Sequence, residues 1–420
     1  MKPSIQLRER QANHSTTGTS VEAERAVVAE RSLPPGLVRM LAVGCAISVA
    51  NLWYAQPLLA KMAVEWHVSQ TTMGTIAGCP LAGYATGMLF FVPLGDIVER
   101  RRLILVFIGA IVATLFGMIF APNITMLGVC AFLLGVASIV PQLIIPYAAG
   151  LTEPKNRGST VGTLQSGILI GLLLSRTVGG VIAEHFGWRA VYWTAIAANS
   201  FLLIWFSRSL RECRPSTNLS YIQLIRSMLR LATHEPVLIT SAFFGAITFA
   251  CFNILWTVLS FLLAGAPFNC DPQAIGSFGL MGLAGALTAG YVGKLADTRG
   301  PMFSIGIALA GMALSFVELS AFSGSLIGIA IGVLFLDLFV QSSQVSNMAR
   351  IYSLSAENHS RLATVYMVSY FIGGTFGAWL GTTTWSHCGW SGCCAGGIAC
   401  AVIGFAAFLA VAATKSRRTT

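Results

Sequence analysis

A chain of 420 residues in which 55% of side chains are hydrophobic and 10% charged cannot be an ordinary soluble domain, because too little polar surface is available to cover it. The formal charge of +10 would suit nucleic-acid binding only if it were clustered on a polar domain, and it is not. Apolar runs long enough to cross about 30 Å of hydrocarbon, roughly 20 residues each, fall in chain order near 37–60, 74–94, 103–121, 124–150, 160–183 and 188–207. Six more fall near 237–264, 275–293, 301–322, 325–349, 361–385 and 390–413. The expected fold class is an all-α integral membrane protein with twelve transmembrane helices in two six-helix halves. Its parts are a disordered tail (1–33), a first bundle (34–207), a linker (208–236), a second bundle (237–413) and a short tail (414–420).

The halves are copies of one unit. Gly171, Ser175 and Gly179 return as Gly373, Gly377 and Gly381 at an offset of 202, and Gln142 returns as Gln344. Asp96 in its basic turn is answered by Asp297, and the Gly187-Trp188 pair by Gly389-Trp390. Six spans separate equivalent positions, so the repeats are parallel and related by an axis along the membrane normal. With the amino terminus inside, 23 of the 26 Lys and Arg fall on cytoplasmic segments, leaving Lys61 and Arg189 outside and Arg176 within a span. The charge is therefore a record of topology, and nucleic acid is not an expected partner.

The first 33 residues are polar and lack the apolar core of a cleaved signal. The linker carries Arg208, Arg211, Arg214, Arg226 and Arg230. Its Ile222, Leu224, Ile225, Met228, Leu229 and Leu231 suit a short amphipathic helix on the anionic inner leaflet. Of the ten cysteines, Cys45, Cys79, Cys130, Cys251 and Cys400 lie in apolar runs, where Cys acts as a small hydrophobe. Cys388, Cys393 and Cys394 have no His partners nearby in sequence, so no metal site is expected, and no nucleotide loop or other cofactor motif is present.

The turn Gly293-Lys294-Leu295-Ala296-Asp297-Thr298-Arg299-Gly300, with its degenerate counterpart Val92-Pro93-Leu94-Gly95-Asp96-Ile97-Val98-Glu99-Arg100-Arg101-Arg102, resembles the signature cytoplasmic turn of the major facilitator superfamily. The resemblance covers nearly everything after residue 36 and points to its twelve-span proton-linked exporters of drugs and small molecules. It implies a conformational latch made of Asp96 with Arg100 or Arg101, and of Asp297, Arg299 and Gly300. A turn this short cannot leave the membrane surface, so its charges must pair with each other or with helix ends.

The fifth span places Gly171, Ser175 and Gly179 on one face, as the eleventh places Gly373, Gly377 and Gly381, and small residues at that spacing let helices pack closely. The stripe resembles the family's antiporter motif and is expected at the interface of the halves, with Ser175-Arg176 where that motif has Gly-Pro. Where the exporters often carry an arginine in the fourth span, this chain has Ala131, four residues before Gly135.

Arg176 and Asp337 are the ionisable groups set deepest in the spans, and each costs stability that packing does not return. They are the expected proton-coupling pair, with Arg176 alternatively holding an anionic substrate. Glu318 is the one rival acid within a span, near the outer end of the ninth. Asn51, Tyr54, Gln56, Gln142, Asn253, Trp256, Gln341 and Gln344 are candidate substrate contacts, since by resemblance the first, fourth, seventh and tenth spans line the pathway. The expectation is a non-enzymatic secondary transporter of the bacterial inner membrane, multi-pass and monomeric, with both termini cytoplasmic. It would move a small organic molecule by proton-coupled antiport, as efflux; the alternative is uptake or facilitated diffusion of a sugar or organic anion, and a remoter one is a non-transporting membrane sensor.

Overall fold

A computed structural model describes residues 34–212, 220–282, 300–354 and 359–419. The described part of the first half is built from α1 (Pro35–Ala50), α2 (Leu59–Glu65), α3 (Gln70–Phe91), α4 (Arg100–Ile119), α5 (Ile124–Ala137), α6 (Val140–Leu151), α7 (Arg157–Phe186) and α8 (Trp188–Ser209). Helix α9 (Tyr221–His234) lies between the halves. The second half holds α10 (Pro236–Ala264), α11 (Pro272–Ser277), α12 (Pro301–Ala321), α13 (Leu326–Tyr352) and α14 (His359–Thr419). Among the described residues, nine helical stretches are long and apolar enough to span a membrane. The longest, α14, is broken at Gly389 (φ 60°), so that it supplies two crossings. Most of the expected eighth span, 283–293, lies outside the described residues, as do Asp297 and Arg299.

Helix ends follow local chemistry. Ser69, Asn123 and Ser325 cap α3, α5 and α13 by accepting backbone N–H groups, and Ser220 with Gln223 closes a capping box on α9. Gly187 (φ 81°) and Gly300 (φ 88°) take a left-handed backbone that other residues resist, at the starts of α8 and α12.

Two spans expected as single runs are broken, each beside a proline. The fourth divides between α5 and α6 just before Pro141, which has no N–H to offer the carbonyl of Ala137. The first ends as α1 at Ala50 and resumes as α2 after a 3₁₀ turn at Gln56–Leu58 containing Pro57. That break lets Gln56 turn inward.

The glycine stripes differ from expectation. A Cβ on Gly167 or Gly171 would strike the backbone of Ala42 or Ala46 on α1, in the same half. On Gly373, Gly377 or Gly381 it would strike Ala246, Ala250 or Ile254 on α10, again in the same half. The stripes thus weld α7 to α1 and α14 to α10, and the repeat recurs in packing as well as in sequence.

The halves meet elsewhere, from the middle of the bundle to the end opposite the termini, the far end. Trp385 Nε1 donates to Gln70 Oε1 at 2.5 Å, and Thr177 Oγ1 donates to the Gly276 carbonyl at 3.1 Å. Gly276 and Gly180 bring α11 and α7 into backbone contact. Further in, the Tyr84 and Phe371 rings sit 4.4 Å apart, and Trp53 packs edge-on against Phe249 and Phe252.

Candidate functional site

Two buried charged side chains, Arg176 and Asp337, stand inside the bundle. Arg176 lies ten residues before the end of α7, and Asp337 lies eleven after the start of α13. At 1.5 Å per residue both stand about 15–17 Å in from the far ends of their helices. Both are almost fully buried, with 1% and 3% of their surface exposed.

Arg176 Nε donates to Gln56 Oε1 at 2.7 Å. Its guanidinium stacks on the Trp256 ring, 3.9 Å from the centroid, with Trp53 and Phe252 at 5.2 and 5.3 Å. Trp256 Nε1 in turn donates to Asp337 Oδ1 at 3.0 Å. Cation, ring and carboxylate thus form a relay in which Arg176, from the first half, is held by Trp256 and Asp337 of the second. A desolvated cation–π contact is worth about 2 kcal/mol, and the carboxylate at the indole N–H makes the ring a better partner for the cation. Among the described residues Arg176 Nη1 and Nη2 have no hydrogen-bond partner. Arg176 also lines a small cavity of about 10 Å³, together with Gln56, Pro57, Trp256, Leu259, Ser260 and Ile275.

The other expected contacts divide into two groups. Gln142 Nε2 donates to Tyr84 Oη at 3.1 Å, and Tyr370 Oη donates to Gln344 Oε1 at 3.1 Å, each beside the aromatic seam. Tyr54 lies against Gly179, and Gln341 is half-buried on α13. Asn51 instead turns into the first half, bonding the carbonyls of Ile47 and Ser48 and accepting weakly from Asn199. Asn253 Nδ2 donates back to Phe249 O on its own helix, while its Oδ1 is buried without a partner among the described residues. Glu318 is half-buried, with Oε2 enclosed over Gly332 and lacking a partner among the described residues. Ser175 bonds back to Leu172 O.

Sequence reasoning missed Trp53 and Phe252. The available signal was spacing, since Trp53 lies one turn before Gln56 and Phe252 one turn before Trp256.

At the turn after α3, Arg100 Nη2 donates to Asp96 Oδ1 at 2.8 Å, and Nη1 reaches the Pro146 carbonyl. Arg101 is not part of that pair, since its guanidinium binds the Ser207 carbonyl at 2.8 Å and lies 3.7 Å from Glu212. Outside the spans at the far end, Lys61 pairs with Glu184 and Arg189 with Glu65. Partial burial pushes the Glu65 carboxyl up, but hydrogen bonds from Arg189 and Trp188 and the charge of Arg189 outweigh it and hold the group below its ordinary value. Among the described residues the cysteines are unbridged, and no group of three or more metal-ligating side chains forms.

Two helical halves packed around a buried polar cluster, with the repeat axis along the spans, are the architecture of a membrane transporter. The chain matches the Major Facilitator Superfamily model over residues 41–378, and it belongs to that superfamily. It is 38% identical over 374 residues to the putative uncharacterized transporter YgaY of Escherichia coli (strain K12), covering 88% of this chain and 94% of that protein. To the probable transporter SCO4007 of Streptomyces coelicolor it is 30% identical over 371 residues, covering 88% and 86%. Among solved structures it resembles a POT family transporter in complex with a thioalcohol-conjugated peptide, with a TM-score of 0.73 at 11% identity over 92% of this chain and 96% of the other. A bacterial homolog of the human lysosomal transporter Spinster gives 0.68 at 12% identity over 91% and 96%. At such identities these two likenesses concern the fold alone.

Proposed function

We propose that this protein moves a small organic molecule across the bacterial inner membrane by alternating access, coupled to protons through Asp337, with both termini in the cytoplasm. The observation that carries the proposal is the relay Arg176–Trp256–Asp337. It links the most deeply buried acid of the described spans, through the Trp256 indole, to a cation from the opposite half. A carboxylate at that depth is costly unless it is paired or protonated. Its protonation therefore weakens the hold of one half on the other, and its ionisation restores it. Such a group ties proton binding to the movement of the halves. The far-end seam supports a resting state closed to the outside.

The direction of transport follows from the sign of coupling. A proton that competes with the substrate drives export, and a proton that binds with it drives uptake.

The test is flux in reconstituted vesicles, using a compound first selected because it stabilises the purified protein against heat. In the Asp337→Asn variant, a pH gradient should no longer concentrate the compound, while exchange at equal concentrations on both sides should persist. A variant still driven by the gradient would remove Asp337 from the mechanism.

A further inference from the structure

The edge of the Arg176 guanidinium presents two buried donors that no described side chain or carbonyl accepts from. Its face is covered by Trp256, its Nε is held by Gln56, and its two buried terminal nitrogens meet no acceptor among the described residues, while Arg176 also lines the small cavity. A planar guanidinium fixed by stacking and one hydrogen bond is oriented to receive two parallel N–H···O bonds from a carboxylate. Leaving those donors unpaired in a dry interior costs more than a neutral orphan would. The cavity has room for about one water-sized group. A larger ligand therefore enters when the halves part on this side, which separates Arg176, Trp53 and Gln56 from Phe252, Trp256 and Asp337. Trp53, Phe252 and Trp256 would then offer apolar faces to the body of the ligand.

Resting on the reading of Asp337 as the coupling group, we propose that the substrate is a small organic monocarboxylate that binds Arg176 together with one proton on Asp337. Electroneutrality links the two bound species. Arg176 and Tyr370 are the charged and titratable side chains that act on Asp337 among the described residues. Empty, the site holds one positive and one negative charge. With a proton alone it carries a net positive charge, and with a carboxylate alone a net negative one. With both it is neutral again.

Enclosing an uncompensated charge in the bundle is expensive. Only the empty and the doubly loaded forms therefore close readily, and that restriction couples the two solutes. A proton taken from the outer side neutralises the Asp337 carboxylate, the anion pairs with Arg176, and both leave on the inner side. This sign of coupling is co-transport, opposite to the antiport expected from the sequence resemblance.

The test is thermal stabilisation of the purified full-length protein by benzoate, cyclohexanecarboxylate and butyrate, with benzamide and benzamidinium as neutral and cationic controls. At least one carboxylate should stabilise it, with an apparent affinity about tenfold or more tighter at about pH 5 than at about pH 8, and the two controls should not. Asp337→Asn should bind that carboxylate with equal affinity at both pH values, and Arg176→Gln should lose it. Stabilisation by benzamidinium as strong as by benzoate would overturn the anion site. So would the absence of any effect from all three carboxylates, and in either case the vesicle experiment on Asp337 would stand on its own. Carboxylate binding of equal strength at both pH values in the parent would overturn the joint binding of proton and anion.

Discussion

Glycines in the two kinds of close contact should respond to an added methyl group in opposite ways. A Cβ on Gly276 would lie 2.5 Å from the Arg176 carbonyl oxygen, about 0.9 Å short of the 3.4 Å at which ordinary contact begins, with the Gly180 Cα at 3.3 Å. Those atoms belong to the other half, so the clash exists only while the far end is closed. Overpacking of this size costs about 1–3 kcal/mol, which lowers the ratio of closed to open molecules by about 5- to 150-fold. A Cβ on Gly381 would lie 2.8 Å from the Ile254 carbonyl oxygen, within one half, and that clash persists in every state of the cycle. Gly276→Ala should therefore open the far end with little loss of melting temperature, and Gly381→Ala should lower the melting temperature without opening it. Disulfide formation between cysteines placed at Gln70 and Trp385 reports closure, because those side chains touch in the closed state. Equal melting losses in both variants, with unchanged cross-linking, would refute the assignment of the two seams.

Asp96→Asn should slow transport while preserving ligand binding, because the charge-assisted bond to Arg100 tunes a state rather than the site; Arg101→Gln, whose contacts are with Ser207 and Glu212, should slow it less. Flux and binding measured in parallel decide this, and equal slowing by both variants would contradict it. Glu65, with its carboxyl held below the ordinary 4.5, contributes stability that is present above that value and lost as the pH falls through the lowered one. Glu65→Gln should accordingly lower the melting temperature at neutral pH and converge with the parent in acid, and a pH-independent difference would count against the Glu65–Arg189 pairing.

Much of this was legible in the sequence, for physical reasons that also mark where legibility ended. Span lengths and the recurrence of Gly171 and Gly179 as Gly373 and Gly381 expose the helical repeat, because the bilayer fixes length and composition together. Arg176 and Asp337 stand out because charge inside a span is rare and expensive. Spacing identifies a helix face, however, and not the helix it meets. The glycine stripes were thus assigned to the seam between halves, while their partners are Ala46 and Ala250 within each half. The same limit separates Arg100 from Arg101. Arg100, four residues from Asp96, faces it, and Arg101 is turned about 100° further round the helix toward Ser207. Asn51 shows the reverse error, since a polar residue in a span suggests a cavity but here bonds its own helix and Asn199. The three rings around Arg176 were hidden because Trp and Phe are unremarkable in apolar runs, and only the meeting of the turn after α1 with α7 and α10 gathers them around one cation.

The central claim is that the charge on Asp337 decides whether the halves stay together at the far end, and it can be tested without knowing the substrate. Spin labels at positions 70 and 385 would report the separation of the far ends in the ligand-free protein. The account predicts that acidification from about pH 8 to about pH 5 shifts the parent toward the longer distance, because a protonated Asp337 no longer compensates Arg176. In Asp337→Asn the longer distance should dominate at both pH values. A parent whose distances ignore pH, or an Asp337→Asn variant that follows the parent's pH response, would contradict it.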